Sequence, residues 1–180
     1  MKSDLIHFVL TGGTIDSYYN GIKDTATPNK KSVIPDYISS LQLKEKTLFT
    51  EVCMKDSRDL TKFDLNKLYK TVKNSKADKI IITCGTYTMV DTARYLKTQL
   101  GGATSKVIVF TGSMIPMVGF SPSDAPFNLG YAIAKVQELE VGIYVCMNGK
   151  AFNPEEVTKL LYKGKFVSLF GERSDNKGKS

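Results

Sequence analysis

Five apolar runs recur along this chain, and four of them end in a turn built from glycine, threonine or serine. The first, Ile6–Leu10, empties into Thr11-Gly12-Gly13-Thr14. The second, Leu48–Met54, ends in Lys55-Asp56-Ser57-Arg58-Asp59. Lys79–Thr83 runs into Cys84-Gly85-Thr86-Tyr87, Lys106–Phe110 into Thr111-Gly112-Ser113, and Val141–Met147 is the fifth. Each run is short, near-continuously apolar and rich in β-branched residues, as in strands buried on both faces. Helical periods lie between them: Leu65, Leu68, Tyr69 and Val72; Met89, Ala93, Leu96 and Leu100; and a segment from Phe127 to Leu139. Alternation of this kind predicts an α/β fold of three layers, α/β/α, around a mostly parallel Rossmann-like or flavodoxin-like sheet.

With 180 residues there is room for one full core, placed here over 1–172 with a polar tail over 173–180. No apolar run approaches the length of a membrane span and no signal-peptide pattern opens the chain, so a cytoplasmic protein is expected. Cys53, Cys84 and Cys146 sit in apolar runs and read as free thiols. The net charge of +7 comes from scattered lysines without interleaved aromatics, which argues for solvated surface and against a nucleic-acid partner.

The single histidine, His7, lies inside the first strand. That leaves no free base for a Ser-His or Cys-His pair, and no His-rich or paired-Cys metal site; no cofactor is expected. Chemistry must therefore use Thr, Ser, Tyr, Lys and carboxylates. In an open parallel sheet the ligand edge is the carboxyl end of the strands. Thr14, Ser57, Thr86 and Ser113 all fall there. Alone, TGGT is an ordinary strand-to-helix turn; four such ends on one edge predict a site.

Residues 17–41 read as an irregular segment with only a short helix near 36–41, long enough to act as a lid carrying Tyr18 and Tyr19. Thr88 and Asp91 have capping-box spacing, placing Thr86 and Tyr87 beside a helix N-terminus that favours an anion. Asn153-Pro154-Glu155-Glu156 has the signals of a helix start, and Lys165–Phe170 is strand-like.

In order along the chain, Thr11-Gly12-Gly13-Thr14-Ile15, Asp56-Ser57-Arg58-Asp59, Cys84-Gly85-Thr86-Tyr87-Thr88-Met89, Gly112-Ser113-Met114-Ile115-Pro116 with Ser121–Leu129, and Val157-Thr158-Lys159 resemble the signatures of the N-terminal domain of bacterial-type L-asparaginases and glutaminase-asparaginases. The resemblance implies Thr14 as nucleophile on a side-chain amide carbon and Thr86 with Lys159 as the group that handles its proton. It implies Ser57 as the holder of a substrate carboxylate, with a lid tyrosine, Tyr18 or Tyr19, and with Gly13, Arg58 and Tyr87 lining the substrate. It also implies a small amide or carboxylate ligand and a homo-oligomer, at least a dimer. The asparaginase family's Asp is Tyr87 here, its His is Cys84, its MRP arginine is Ile115, and its smaller C-terminal domain is expected to be absent. A neutral phenol cannot neutralise an ammonium. The expectation is an asparaginase-like amidohydrolase of altered preference; the alternative is a non-catalytic small-acid-binding module built on the same strand ends.

Overall fold

The structure, a computed structural model, describes residues 4–102 and 104–170. The tail expected over 173–180 lies outside the described residues. The strands are β1 (Leu5–Gly12), β2 (Ser17–Asn20), β3 (Thr25–Pro28), β4 (Lys46–Lys55), β5 (Lys79–Thr83), β6 (Val107–Thr111), β7 (Gly142–Met147), β8 (Lys150–Phe152), β9 (Val157–Leu160) and β10 (Lys165–Ser168). The helices are α1 (Ile34–Ser40), α2 (Lys62–Asn74), α3 (Met89–Gln99) and α4 (Ala125–Glu138).

The main sheet has the order β4-β1-β5-β6-β7-β8. Its first five strands are parallel and β8 closes the edge antiparallel to β7. Counted along the chain, the parallel strands run 2-1-3-4-5, the flavodoxin-like order, with the switch point between β1 and β5. Period-two alternation sends side chains to both faces. Ile80 and Ile82 pack with Leu68, Val72, Met89, Ala93 and Leu96 of α2 and α3. Ile81, Phe8 and Leu10 pack with Ile34 and Ile38 of α1 and Leu129, Ala132 and Val136 of α4. Both faces of β1 and β5 are thus sealed, which is why those runs carry no polar alternation.

Local structure departs from the sequence reading in three places. Residues 17–28 are not irregular: β2 and β3 form an antiparallel hairpin, Ser17 opposite Pro28 and Asn20 opposite Thr25. Buried Asp16 anchors it, accepting hydrogen bonds from Ser32 Oγ at 2.7 Å and Val33 N at 2.8 Å. Second, Thr88 flanks α3 but makes no side-chain cap; its hydroxyl donates to Ser57 O at 3.1 Å. The capping box lies instead at α2, where Thr61 Oγ1 accepts from Asp64 N and the Asp64 carboxylate accepts from Thr61 N. Third, Asn153 does cap a turn through Glu155 N, but that turn is a single 3-10 turn, and the chain is extended from Val157. Val157 is buried in the core, and pairing with β10 ends any helix there.

Cys53, Cys84 and Cys146 are free thiols, all raised in pKa by burial. His7 is buried, with Nδ1 2.8 Å from Ser75 Oγ and Nε2 2.8 Å from Thr50 Oγ1. Burial, and then the Lys106 ammonium, hold its pKa below 6.5. The native state therefore resists protonating His7. Its contribution is complete above pH 6.5 and is lost as pH falls from there through the lowered native value. The melting temperature is expected to fall between pH 7 and pH 5. His7→Gln, which can still donate and accept, should flatten that step; an unchanged step would contradict this assignment.

Candidate active site

Three strand-end loops interlock at the switch point. Gly13 has φ +82° and ψ −175°, a region essentially restricted to glycine. A Cβ there would stand 2.2 Å from Gly85 N, so the β1 loop lies directly on the β5 loop. A Cβ on Gly85 would in turn stand 2.7 Å from Ser57 Cβ and Oγ, so the β5 loop lies on the β4 loop. Gly13 N also donates to Lys55 O at 2.8 Å, and Lys55 Nζ is paired with Asp64 at 2.7 Å. Ser57 is buried, and its Oγ accepts from Thr88 N at 3.4 Å, at the start of α3.

Thr86, 5% exposed, is reached from far down the chain: Lys159 Nζ donates to Thr86 Oγ1 at 2.6 Å. Burial holds the Lys159 pKa below its ordinary 10.5. Among the described residues Lys159 has no carboxylate partner. A lysine partly desolvated without a counter-charge loses its proton more readily than a surface lysine, and the amine so formed can accept a proton. Thr86 Oγ1 also lies 3.7 Å from Met114 Sδ in the loop after β6.

Thr14 opens on a cleft of about 540 Å³ lined also by Tyr19, Ala26, Met114, Phe120 and Pro122. That volume suits a small organic ligand. Tyr19 and Phe120 meet edge to face at 6.4 Å across it, and the Tyr19 hydroxyl donates to Asp24. A second hollow of about 260 Å³ holds Lys159 with Tyr87, Asp91, Arg94 and Leu161. Met114, which lines the first hollow, meets the Thr86 hydroxyl that Lys159 of the second hollow bonds.

Gly13 and Ser57 both pack on Gly85, the residue before Thr86, and Lys159 bonds to Thr86, while Thr14 lines a different hollow from Lys159, beside Met114. Tyr18, adjacent to Tyr19 and opposite Thr27 in the hairpin, is exposed on the other face of that ribbon. Arg58 and Tyr87 sit at the rim. Tyr87 is 57% exposed, with the Arg58 guanidinium 5.9 Å from its ring centroid. Arg58 forks onto Asp56 at 3.0 and 2.9 Å. Ser113 does not face the ligand edge freely; its hydroxyl donates to Ile115 O at 2.5 Å. The sequence reading missed Met114, which lines the Thr14 cleft and touches the Thr86 hydroxyl. It also missed Asp124, whose carboxylate accepts from Met114 N and Ile115 N at 3.0 Å and fixes that loop. Among the described residues no cluster of three His, Cys, Asp or Glu could hold a metal.

The family model for the N-terminal domain of asparaginase matches residues 5–165. The chain belongs to the asparaginase N-terminal family. Within that family, it is 32% identical over 176 residues to the glutaminase-asparaginase of Acinetobacter glutaminasificans, covering 91% of this chain and 52% of that protein. It is 30% identical over 166 residues to L-asparaginase 2 of Escherichia coli K12, covering 86% and 46%. Among solved structures, the thermostable L-asparaginase of Thermococcus kodakarensis superposes with a TM-score of 0.74 at 25% identity, covering 91% of this chain and 51% of that one. A probable cytoplasmic L-asparaginase from Campylobacter jejuni gives 0.71 at 27%, covering 88% and 50%. The chain spans about half the length of these asparaginase relatives. Among the described residues no helix is long and apolar enough to cross a membrane.

Proposed function

We propose that this asparaginase-family chain hydrolyses a small carboxamide, with Thr14 as nucleophile and the Thr86–Lys159 pair as proton acceptor. The observation that carries the reading is the 2.6 Å bond from a desolvated lysine amine to a buried threonine hydroxyl. Thr14 Oγ would attack the amide carbon, its proton passing to the pair. Backbone N–H groups around Thr14 and Thr86 would hold the oxyanion. Collapse breaks the C–N bond, the departing nitrogen takes the proton as ammonia, and water then cleaves the ester to release the acid. Ser57, beside the N-terminus of α3, would hold a carboxylate on the substrate.

The preference follows from charge. Tyr87 offers a phenol rather than a carboxylate, and the cationic Arg58 lies over its ring. Asp56 is already committed to Arg58, and Asp91 is exposed and 3.9 Å from Arg94. A substrate ammonium therefore meets no buried, unpaired carboxylate from these residues, and desolvating it uncompensated is costly. Succinamate should be hydrolysed with a kcat/KM at least about 10-fold above that of asparagine. Ammonia release from purified protein decides this; asparagine turned over equally well or better would contradict it. Thermal stabilisation by succinate without ammonia from any short amide would instead identify a non-catalytic small-acid-binding module. A cytoplasmic location is supported by the likeness to the probable cytoplasmic L-asparaginase of Campylobacter jejuni, and a homo-oligomer by the family resemblance.

A further inference from the structure

Lys159 sits on β9, and β9 pairs with β10 in a two-stranded ribbon, while the main sheet ends at β8. No ladder of the main sheet fixes the height of Lys159 over Thr86. Arg94, on the second turn of α3, bridges the gap. Its Nε donates to Pro154 O at 2.9 Å and its Nη2 to Val157 O at 3.3 Å. Those two carbonyls bracket the 3-10 turn from which β9 emerges, two residues before Lys159. The helix carrying Arg94 begins just after Thr86 and Tyr87. We propose that Arg94 is a positioning residue that fastens the Lys159 strand to the Thr86 helix and so sets the lysine–threonine hydrogen bond.

The neighbouring carboxylates do not account for its place. Glu155 lies 3.8 Å from Nε and Asp91 3.9 Å from Nη1, both at distances and exposures where ion pairs contribute little. Glu155 is shared with Lys97 at 3.5 Å. The hydrogen bonds to carbonyls are the directional element, since a planar guanidinium can span two acceptors at a fixed spacing. Val157 and Phe166, buried in the core, hold the ribbon against the body, and Phe166 N donates to Asn148 Oδ1 at 3.2 Å. Those contacts seat the ribbon on the body, with Val157 at the start of β9 and Phe166 opposite Lys159; Arg94 adds the tie from the 3-10 turn and the start of β9 to α3. A 2.6 Å bond tolerates little drift, and displacement of about 1 Å at a reacting group can cost on the order of 100-fold in rate.

This inference rests on the proposed role of Lys159, so its test separates the two. Arg94→Met keeps the aliphatic length and removes both donors. Its kcat on succinamate is expected to fall about 10- to 100-fold with KM changed less than about 3-fold. Lys159 should also lose part of its dry seat. Trace acylation read by mass spectrometry across pH should then show its half-labelling point rising toward that of surface lysines. Arg94→Lys, able to reach one carbonyl, should recover part of both effects. Should Arg94→Met fail to fold, Arg94→Gln with one remaining donor takes its place in the same comparison. Wild-type kcat and an unmoved labelling profile in the Arg94 variant, beside an inactive Lys159→Met, would overturn the positioning role and leave the lysine's role standing. Full activity of Lys159→Met would overturn the lysine's role itself.

Discussion

Thr14→Ala is expected to reduce amide hydrolysis by at least about 1000-fold. The effect is large because no other hydroxyl of the set is free to substitute. Thr86 Oγ1 accepts from Lys159, Ser57 Oγ accepts from Thr88 N, and Ser113 Oγ donates to Ile115 O. Thr14 borders the roomy cleft, at the loop where Gly13 brings the β1 turn onto the β5 turn. The variant should fold normally, since Thr14 is not among the fully buried core. Rates on succinamate and an unchanged melting temperature test this together. Activity within about 10-fold of the parent would show that another group attacks the amide.

Gly13→Ala is expected to be strongly destabilising. Its methyl would stand 2.2 Å from Gly85 N and 2.7 Å from Cys84 C, both backbone atoms that cannot swing aside. The backbone angles there are also outside the range open to alanine. Together these should cost about 3 kcal/mol or more, lowering the melting temperature by roughly 6–12 °C in a domain of this size. Gly101→Ala is the control: φ is +71° but nothing lies within 4 Å of the added methyl. It should cost only about 1 kcal/mol. Equal melting temperatures for the two variants would mean that the β1 and β5 loops are not in contact.

The parallel sheet was legible because strands buried on both faces leave uninterrupted apolar runs; Lys79–Thr83 has the same bounds in sequence and structure. The hairpin at 17–28 was not. Its strands are four residues long and largely exposed, so no hydrophobic alternation marks them. Thr88 shows how a local signal loses to a tertiary one: the spacing for a capping box is present, but the hydroxyl is drawn to Ser57 O of another loop. At Asn153 the local cap forms and tertiary pairing overrides its continuation, as Val157 is pulled into the core.

The site residues came from motif order, since threonines at strand ends are common. What no motif carries is environment. Lys159 reads as an ordinary surface lysine until β9 folds back over α3, and only burial then lowers its pKa. Arg94 looks like one more charge on an amphipathic helix, because carbonyl acceptors about 60 residues away leave no trace in its local sequence.

If Thr14 attacks while Thr86 and Lys159 manage its proton, Thr14 is acylated during turnover. Rapid acid quench of the protein turning over succinamate, followed by peptide mapping, addresses it directly. A succinyl ester on the peptide carrying Thr14, lost in both Thr14→Ala and Lys159→Met, is the predicted result. Ammonia release with the acyl group on another residue, or with the Thr14 adduct undiminished in Lys159→Met, would contradict it.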